Sequence, residues 1–121
     1  MTNMIREAQD LLATSWCRGS YRTTDEYGRV TFCSVGALAA VAFDGQWWEA
    51  ENSDELKVLS NVIAEQYMDR FENQFHGEDF NSWTSEDFVI AFNDDIAESH
   101  AEIMAVFDKA AVRLDEINSL K

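Results

Sequence analysis

Two long segments of this chain carry apolar side chains spaced three and four residues apart. In the first segment the apolar positions are Leu56, Leu59, Ile63, Tyr67, Phe71 and Phe75. In the second segment they are Ile96, Ile103, Phe107, Ala110, Leu114 and Ile117. Since an α-helix turns once in about 3.6 residues, this spacing places the side chains on one face, which other elements must cover. Two such helices restrict the chain to a helical bundle.

Two shorter apolar segments precede the long ones and predict further helices. Residues 3–16 form an amphipathic pattern, with Thr2 as the expected cap. Residues 35–43 follow Ser34, a second expected cap, and are apolar on every side with many small side chains. We therefore expect the second helix to be central and closely packed.

A short β-hairpin is predicted between these two helices. Residues 20–24 and 29–32 alternate polar with β-branched or aromatic side chains, and residues 25–28 between them end in glycine. Gly28 can adopt the positive φ that such a turn requires. An isolated hairpin is marginally stable in water, so we expect it to pack on the helices.

Capping patterns predict where the remaining helices begin and end. They are Asn52 with Glu55 for the long helix to about Phe75, Gly77 at its end, Thr84 to Asp87 for a short helix through Phe92, and Asp95 with Glu98 for the last helix. The chain of 121 residues has room for one core. The expected fold is mainly α: a compact single-domain helical bundle, residues 1–121, of about five helices with one short β-hairpin.

Acidic residues are concentrated in the middle of the chain. The formal net charge is −14, and between residues 44 and 102 there are 16 acidic residues against only Lys57 and Arg70. The flanking segments 1–43 and 103–121 are each neutral overall. Such carboxylates are typical of solvated helix faces, and they also create a field that steers a basic partner. The sequence leaves both interpretations open.

This charge balance excludes several classes of partner. Direct nucleic-acid binding needs lysines and arginines for phosphate contacts, and an anionic membrane surface needs them for the same reason. No apolar run approaches the roughly 20 residues of a membrane helix, and the N-terminus lacks the basic-then-apolar pattern of a signal peptide. We therefore expect a cytoplasmic protein without direct contact to nucleic acid or membrane.

The two cysteines predict neither a disulfide framework nor a metal site. Cys17 and Cys33 are 16 positions apart, and the only histidines are His76 and His100. Zinc sites use closely spaced ligand pairs, and a cytoplasmic protein keeps its thiols reduced. No glycine-rich phosphate loop or HExxH pattern is present either. No metal and no cofactor are therefore predicted.

Four short motifs resemble those of a small family of bacteriophage and bacterial proteins known as a domain of unknown function. The motifs are Trp16-Cys17-Arg18-Gly19, Cys33-Ser34-Val35-Gly36-Ala37-Leu38, Ala91-Phe92-Asn93-Asp94 and His100-Ala101-Glu102-Ile103. The resemblance spans most of the chain but leaves out residues 44–83. It implies a phage or bacterial cytoplasmic source and a helical fold, and it implies no activity.

The same motifs contain residue types that could carry chemistry. Cys33 precedes a helix, where the helix dipole lowers a thiol pKa, and Asn93, Asp94 and His100 offer a base and orienting groups. This hypothesis, of a small-molecule-binding or catalytic protein, requires the four residues to converge on one cavity. The structural interpretation is that Asn93-Asp94-Asp95 forms a turn between helices and that His100 lies on the surface.

Our leading hypothesis is a non-enzymatic module that binds a basic surface of a host protein, imitating nucleic-acid charge. The carboxylates expected to contact the partner are Asp54, Glu55, Glu65, Asp69, Glu72, Glu78, Asp79, Glu86 and Asp87. The aromatic residues interleaved with acids in the connections are Trp47, Trp48, Phe80 and Trp83. They either cover helix ends or anchor that partner. Self-association through the second helix or the tryptophans is a third alternative.

Overall fold

In the computed structural model, which describes residues 3–120, six α-helices and one hairpin form the fold. In chain order they are α1 (Met4–Ser15), β1 (Arg22–Thr24), β2 (Val30–Phe32), α2 (Ser34–Ala42), α3 (Trp47–Ala50), α4 (Asp54–Gln74), α5 (Ser85–Ala91) and α6 (His100–Ser119). A 3-10 turn, Phe80–Ser82, precedes α5, and a π-helical turn, Phe92–Ile96, follows it. The predicted mainly α fold with one hairpin is confirmed. No helix in residues 3–120 is both long and apolar enough to cross a membrane.

Helix α2 lies at the centre of the bundle, as its apolar composition predicts. Its first six residues are buried, and it packs against α1, α3, α5 and β2. The long helices α4 and α6 pack against each other, with Phe71 and Phe107 among the largest buried side chains. Because α2 is enclosed by its own chain, the fold does not support self-association through this helix.

The N-caps of α1, α2 and α4 each lie one residue away from the predicted position. Asn3 caps α1 by accepting hydrogen bonds from two backbone amides, and Thr2 lies outside the described residues. Cys33 caps α2, so the prediction of Ser34 is wrong: Ser34 is the first helical residue. Ser53 caps α4, so the prediction of Asn52 is also wrong. A serine hydroxyl is as good a cap as an asparagine amide, so composition did not distinguish these neighbours.

The segment between α2 and α4 contains a helix that the sequence analysis placed in a connection. Helix α3 is a single turn, Trp47–Ala50, and its last residue, Ala50, is fully buried. One turn is too short to produce an apolar period, so the pattern Trp47-Trp48 did not indicate a helix.

The last two helices are joined by the segment that contains Asn93-Asp94-Asp95. Thr84 caps α5 in a reciprocal capping box with Asp87, as predicted. The expected cap of α6 by Asp95 is wrong, because the π-helical turn continues to Ile96 and Ser99 caps α6 instead. Ile96 is therefore buried in the connection and not in the helix whose period it matched.

The hairpin forms at the predicted position and lies against α1 and α2. Its strands are antiparallel, with Arg22 opposite Phe32, and Gly28 in the turn has a φ of 81°. The N–H of Cys17 donates a 2.8 Å hydrogen bond to the carbonyl of Phe32, which fixes the hairpin to the exit of α1. These contacts hold the loop after α1 beside the start of α2.

Candidate functional site

The side chain of Asn93 joins three separate parts of the chain. Its Oδ1 accepts hydrogen bonds from the indole of Trp16 at 2.9 Å and from the N–H and hydroxyl of Ser34 at 3.0 and 2.8 Å. Its Nδ2 donates to the carbonyl of Cys17 at 3.1 Å and to the carboxylate of Asp94 at 2.8 Å. Asn93 is fully buried, so each of these bonds replaces one to water. Asn93 is a structural junction with no polar atom left for a ligand.

The remaining motif residues extend this junction. The carboxylate of Asp94 also accepts from the N–H of Gly19 at 2.9 Å, and Arg18 donates to the carbonyl of Ala97 at 2.7 Å. The ring of His100 stacks on Trp16 with centroids 5.2 Å apart, and its Nε2 donates to the carbonyl of Leu12 at 2.8 Å. His100 therefore covers the end of α1.

The four residues of the catalytic hypothesis do not share one cavity. Cys33 and Asp94 line a pocket of about 170 Å³ near Tyr21. His100 lines a different depression beside Trp16, and Asn93 is fully buried and lines neither. Of the four residues that the catalytic hypothesis requires in one cavity, only Cys33 and Asp94 lie together.

The thiol of Cys33 is in a poor state for nucleophilic attack. It is buried, and burial raises its pKa to about 11 in spite of the hydrogen bond that it accepts from the N–H of Gly36. The thiolate is the nucleophile, so at neutral pH almost none of the reactive form is present. The expectation that the helix start lowers this pKa is wrong, because desolvation outweighs the helix dipole. Cys33 acts as a cap and core residue.

The acidic side chains proposed for partner binding are distributed over several surfaces. Asp54 lies beside Lys57 at the start of α4, while Asp69 and Glu72 lie beside Arg70 towards its end. Glu65 pairs with Arg113 of α6 at 2.8 Å, and this guanidinium lowers the pKa of the Glu65 carboxyl. The carboxylates of α4 are therefore interleaved with basic groups, two of them from α4 itself and one from α6.

A second set of carboxylates surrounds an apolar groove between the end of α4 and α5. The groove has a volume of about 390 Å³ and is lined by Phe75, Glu78, Trp83, Asp87, Ile90, Ala91 and Asp95. Its three carboxylates come from three segments of the chain: Glu78 follows α4, Asp87 lies in the first turn of α5, and Asp95 lies in the π-helical turn. We call these residues the α5 groove.

An aromatic cluster forms the floor of the α5 groove. Trp83 packs on Phe75, Phe80 and Phe88 with ring centroids 4.9–5.2 Å apart, and Phe71 lies beneath them. Phe80 and Trp83 therefore cover the end of α4, one of the two roles predicted for them. Because Trp83 and Phe75 are only partly buried, the same rings present apolar surface to an occupant of the groove.

The rim of the α5 groove has no internal counter-charge. In residues 3–120, no lysine, arginine or histidine nitrogen lies within 4.0 Å of a carboxylate oxygen of Glu78, Asp87 or Asp95. The pocket beside Asp69, in contrast, is lined by polar side chains and lacks an apolar floor, and its Arg70 is already paired with Glu102. The α5 groove thus combines uncompensated negative charge with exposed aromatic surface.

A further pair of carboxylates, Glu86 of α5 and Glu51 after α3, lies on the side of α5 next to the groove. The hydroxyl of Tyr21 donates a hydrogen bond to Glu86, and Glu51 lies beside it. Burial raises the pKa of the Glu86 carboxyl, and the neighbouring Glu51 and Asp87 raise it further. Burial and the bond to Glu86 also raise the pKa of the Tyr21 hydroxyl. This side of α5 is therefore also negative.

Sequence reasoning found part of the α5 groove and missed the rest. Glu78, Asp87 and Trp83 were among the expected contact residues, whereas Phe75 was assigned to the core, Asp95 to a cap, and Ile90 to no role. The period of α4 places Phe75 on the inward face, but its position at the helix end leaves one side of the ring open. Only the position of α5 against α4 reveals the groove.

Comparison with known proteins identifies the family and nothing beyond it. Residues 1–113 match a family of unknown function (DUF6197), and the chain belongs to this family. No curated protein and no solved structure shows a significant match. The family match covers the Asn93 junction and the α5 groove alike.

Proposed function

We propose that this protein is a non-enzymatic binding module that holds a basic, amphipathic segment of a partner protein in the α5 groove. The observation that carries this proposal is the juxtaposition of three carboxylates without an ion-pair partner, Glu78, Asp87 and Asp95, with the partly exposed rings of Phe75 and Trp83. Lysine or arginine side chains of the segment pair with the rim, and its apolar side chains pack on the floor.

Charge supports a basic occupant over a neutral or acidic one. With 23 acidic against 9 basic residues, the chain presents a negative field that accelerates encounter with a basic partner and repels an acidic one. The groove adds the short-range apolar contact that a field alone does not supply. Affinity then comes from the aromatic floor, and selectivity for charge comes from the rim.

We further propose that the basic segment belongs to a nucleic-acid-binding surface of the partner protein, so that this protein inhibits the partner's binding of nucleic acid. Carboxylates that occupy such a surface take the place of phosphates, so this protein and a nucleic acid exclude each other. A labelled DNA duplex bound to a lysine-rich peptide is then released when the protein is added. A duplex that stays bound while the protein also binds the peptide contradicts this inhibition.

The binding proposal is tested with a short peptide of alternating lysine and leucine, titrated by calorimetry. We expect Glu78→Gln with Asp95→Asn to weaken binding by about tenfold, since two charges are removed from the rim. The control, Asp69→Asn with Glu72→Gln, removes the same charge beside Arg70 and leaves the affinity nearly unchanged. Equal weakening by both pairs shows a diffuse charge effect and contradicts the assignment of the groove.

The salt dependence of the same titration provides a second criterion. Raising the salt from about 0.1 M to about 1 M shortens the Debye length from about 10 Å to about 3 Å, so the contribution of the rim falls. We expect residual affinity at high salt from contacts with Phe75 and Trp83. Affinity that does not change with salt contradicts the role of the carboxylates.

A further inference from the structure

The two exposed tryptophans of α3 form an aromatic surface together with Tyr21. Trp47 stacks on Tyr21 with centroids 4.8 Å apart and ring planes 4° from parallel. Trp48 stands at 85° to Trp47, with centroids 5.6 Å apart. Tyr21 covers one face of Trp47, yet 37% of Trp47 and 53% of Trp48 remain exposed. Two indoles at right angles therefore lie open to solvent.

Carboxylates lie at one end of this aromatic surface. Glu86 accepts the hydrogen bond from Tyr21, and Glu51 is close enough to raise the pKa of both the Tyr21 hydroxyl and the Glu86 carboxyl. Glu51 follows Trp47 by four residues at the end of α3, so both lie on the same side of that turn. The aromatic surface and the carboxylate pair are thus adjacent.

The chain itself holds arginine side chains with the same combination of groups. The guanidinium of Arg70 lies 4.8 Å from the ring centroid of Tyr67 and donates to both carboxylate oxygens of Glu102, at 2.7 and 2.9 Å. Arg29 lies 5.5 Å from the ring of Tyr27 and forms an ion pair with Asp25. Twice, therefore, one aromatic ring and one carboxylate together bind a guanidinium.

The surface at α3 has these groups but lacks the cation. In the part of the chain that the structure describes, no lysine or arginine lies over the rings of Tyr21, Trp47 or Trp48, and none pairs with Glu51 or Glu86. Two carboxylates that face each other without a counter-charge repel when both are ionised. A cation placed between them and the indoles removes that repulsion.

We propose that Trp47 and Trp48, together with Glu51 and Glu86, bind the guanidinium of an arginine side chain of the partner protein. The inference rests on the proposed function, since this arginine belongs to the basic partner held in the α5 groove. Glu86 and Asp87 are adjacent in α5, so the two sites lie on neighbouring sides of one helix. Arginine fits better than lysine because its planar group stacks on an indole while it donates two hydrogen bonds to a carboxylate.

The test compares the lysine and leucine peptide with a peptide in which every lysine is replaced by arginine. We expect the unmodified protein to bind the arginine peptide about fivefold more tightly. Trp48→Leu, at the more exposed of the two indoles, should reduce this ratio to about one and leave the affinity for the lysine peptide unchanged. Glu51→Gln provides a second variant, which should also reduce the ratio.

The control is Glu78→Gln with Asp95→Asn in the α5 groove, which should weaken both peptides and preserve their ratio. Equal affinity of the unmodified protein for the two peptides overturns the arginine site and leaves the proposed function standing. A preference for arginine that persists in both Trp48→Leu and Glu51→Gln overturns it as well. If neither peptide binds, the proposed function and the arginine site fail together.

Discussion

The indole Nε1 of Trp16 donates a 2.9 Å hydrogen bond to Oδ1 of Asn93, which lies 77 residues further along the chain. The same oxygen accepts two bonds from Ser34 at the start of α2. Trp16, Ser34 and Asn93 come from three of the four motifs that resemble the family. Through their shared hydrogen bonds, these motifs hold α1, α2 and the π-helical turn together.

Removing the Asn93 amide should destabilise the fold strongly. Asn93→Ala leaves the N–H and the hydroxyl of Ser34 buried without this partner, at a cost of about 1–3 kcal/mol each, and also removes the part-buried bonds to the Trp16 indole and the Cys17 carbonyl. We expect the free energy of unfolding to fall by at least about 3 kcal/mol. Urea denaturation measures it, with Asn73→Ala on the exposed side of α4 as the control. A loss below about 1 kcal/mol contradicts the junction.

Gly36 is required because the backbone of the hairpin passes directly over α2. A Cβ at this position would lie 1.7 Å from the carbonyl oxygen of Tyr21, which is backbone and has little room to move. Gly36→Ala should therefore either prevent folding or displace the hairpin. Gly45→Ala is the matched control: its φ of 81° makes alanine strained, but no atom lies within 4 Å of the new Cβ. Thermal melts that rank Gly45→Ala as the more damaging change would contradict the close approach.

The two thiols should differ in reactivity towards a disulfide reagent at mildly alkaline pH. Cys17 is partly exposed, whereas Cys33 is buried and burial raises its pKa to about 11. We expect one fast thiol per folded chain and a second only after denaturation. In Cys17→Ser the fast phase should disappear. A fast reaction of that variant would restore Cys33 as a candidate nucleophile.

The pair Glu51 and Glu86 predicts a dependence of stability on pH. Burial and the neighbouring carboxylate raise the pKa of Glu86 above its usual 4.5. The protonated Glu86 side chain therefore stabilises the fold fully below pH 4.5, and this part of the free energy of unfolding is lost as the pH rises through the raised pKa. Glu86→Gln should therefore be more stable than the unmodified protein at pH 7 and show no such gain below pH 4.5.

Glu49→Gln controls for the general effect of removing one negative charge from this surface. Glu49 lies in the same short helix as Trp47 and is exposed. Chemical denaturation at several pH values measures both variants. An equal gain for Glu49→Gln and Glu86→Gln at neutral pH would show that overall charge, and not the pair, sets the dependence.

The sequence was sufficient to predict the helices whose apolar pattern extends over several turns. The repeated apolar positions of α4 and α6 and the small residues of α2 predict the bundle, because these features recur over several turns. The caps at Cys33 and Ser53 were missed by one residue because adjacent polar side chains offer similar hydrogen bonds. Helix α3 and the π-helical turn were missed because each is about one turn long and depends on what lies beneath it.

The candidate site depends on contacts that no local pattern records. The acidic middle of the chain predicted a charged surface, but it did not separate Glu65, which Arg113 neutralises, from Glu78 and Asp95, which have no such partner in residues 3–120. Similarly, the stack of Tyr21 on Trp47 joins residues of the hairpin and of α3. Which carboxylates remain uncompensated is decided by packing between distant segments.

The α5 groove is tested most directly by mapping where a basic peptide binds. Isotope-labelled protein titrated with the lysine and leucine peptide reports the response of every backbone amide and indole in an NMR spectrum. We predict that the largest shifts centre on Phe75, Trp83 and Ile90. Shifts centred instead on Asp54, on Asp69 or on the outer face of α6 would show that the peptide follows charge alone and would contradict the groove as the binding site.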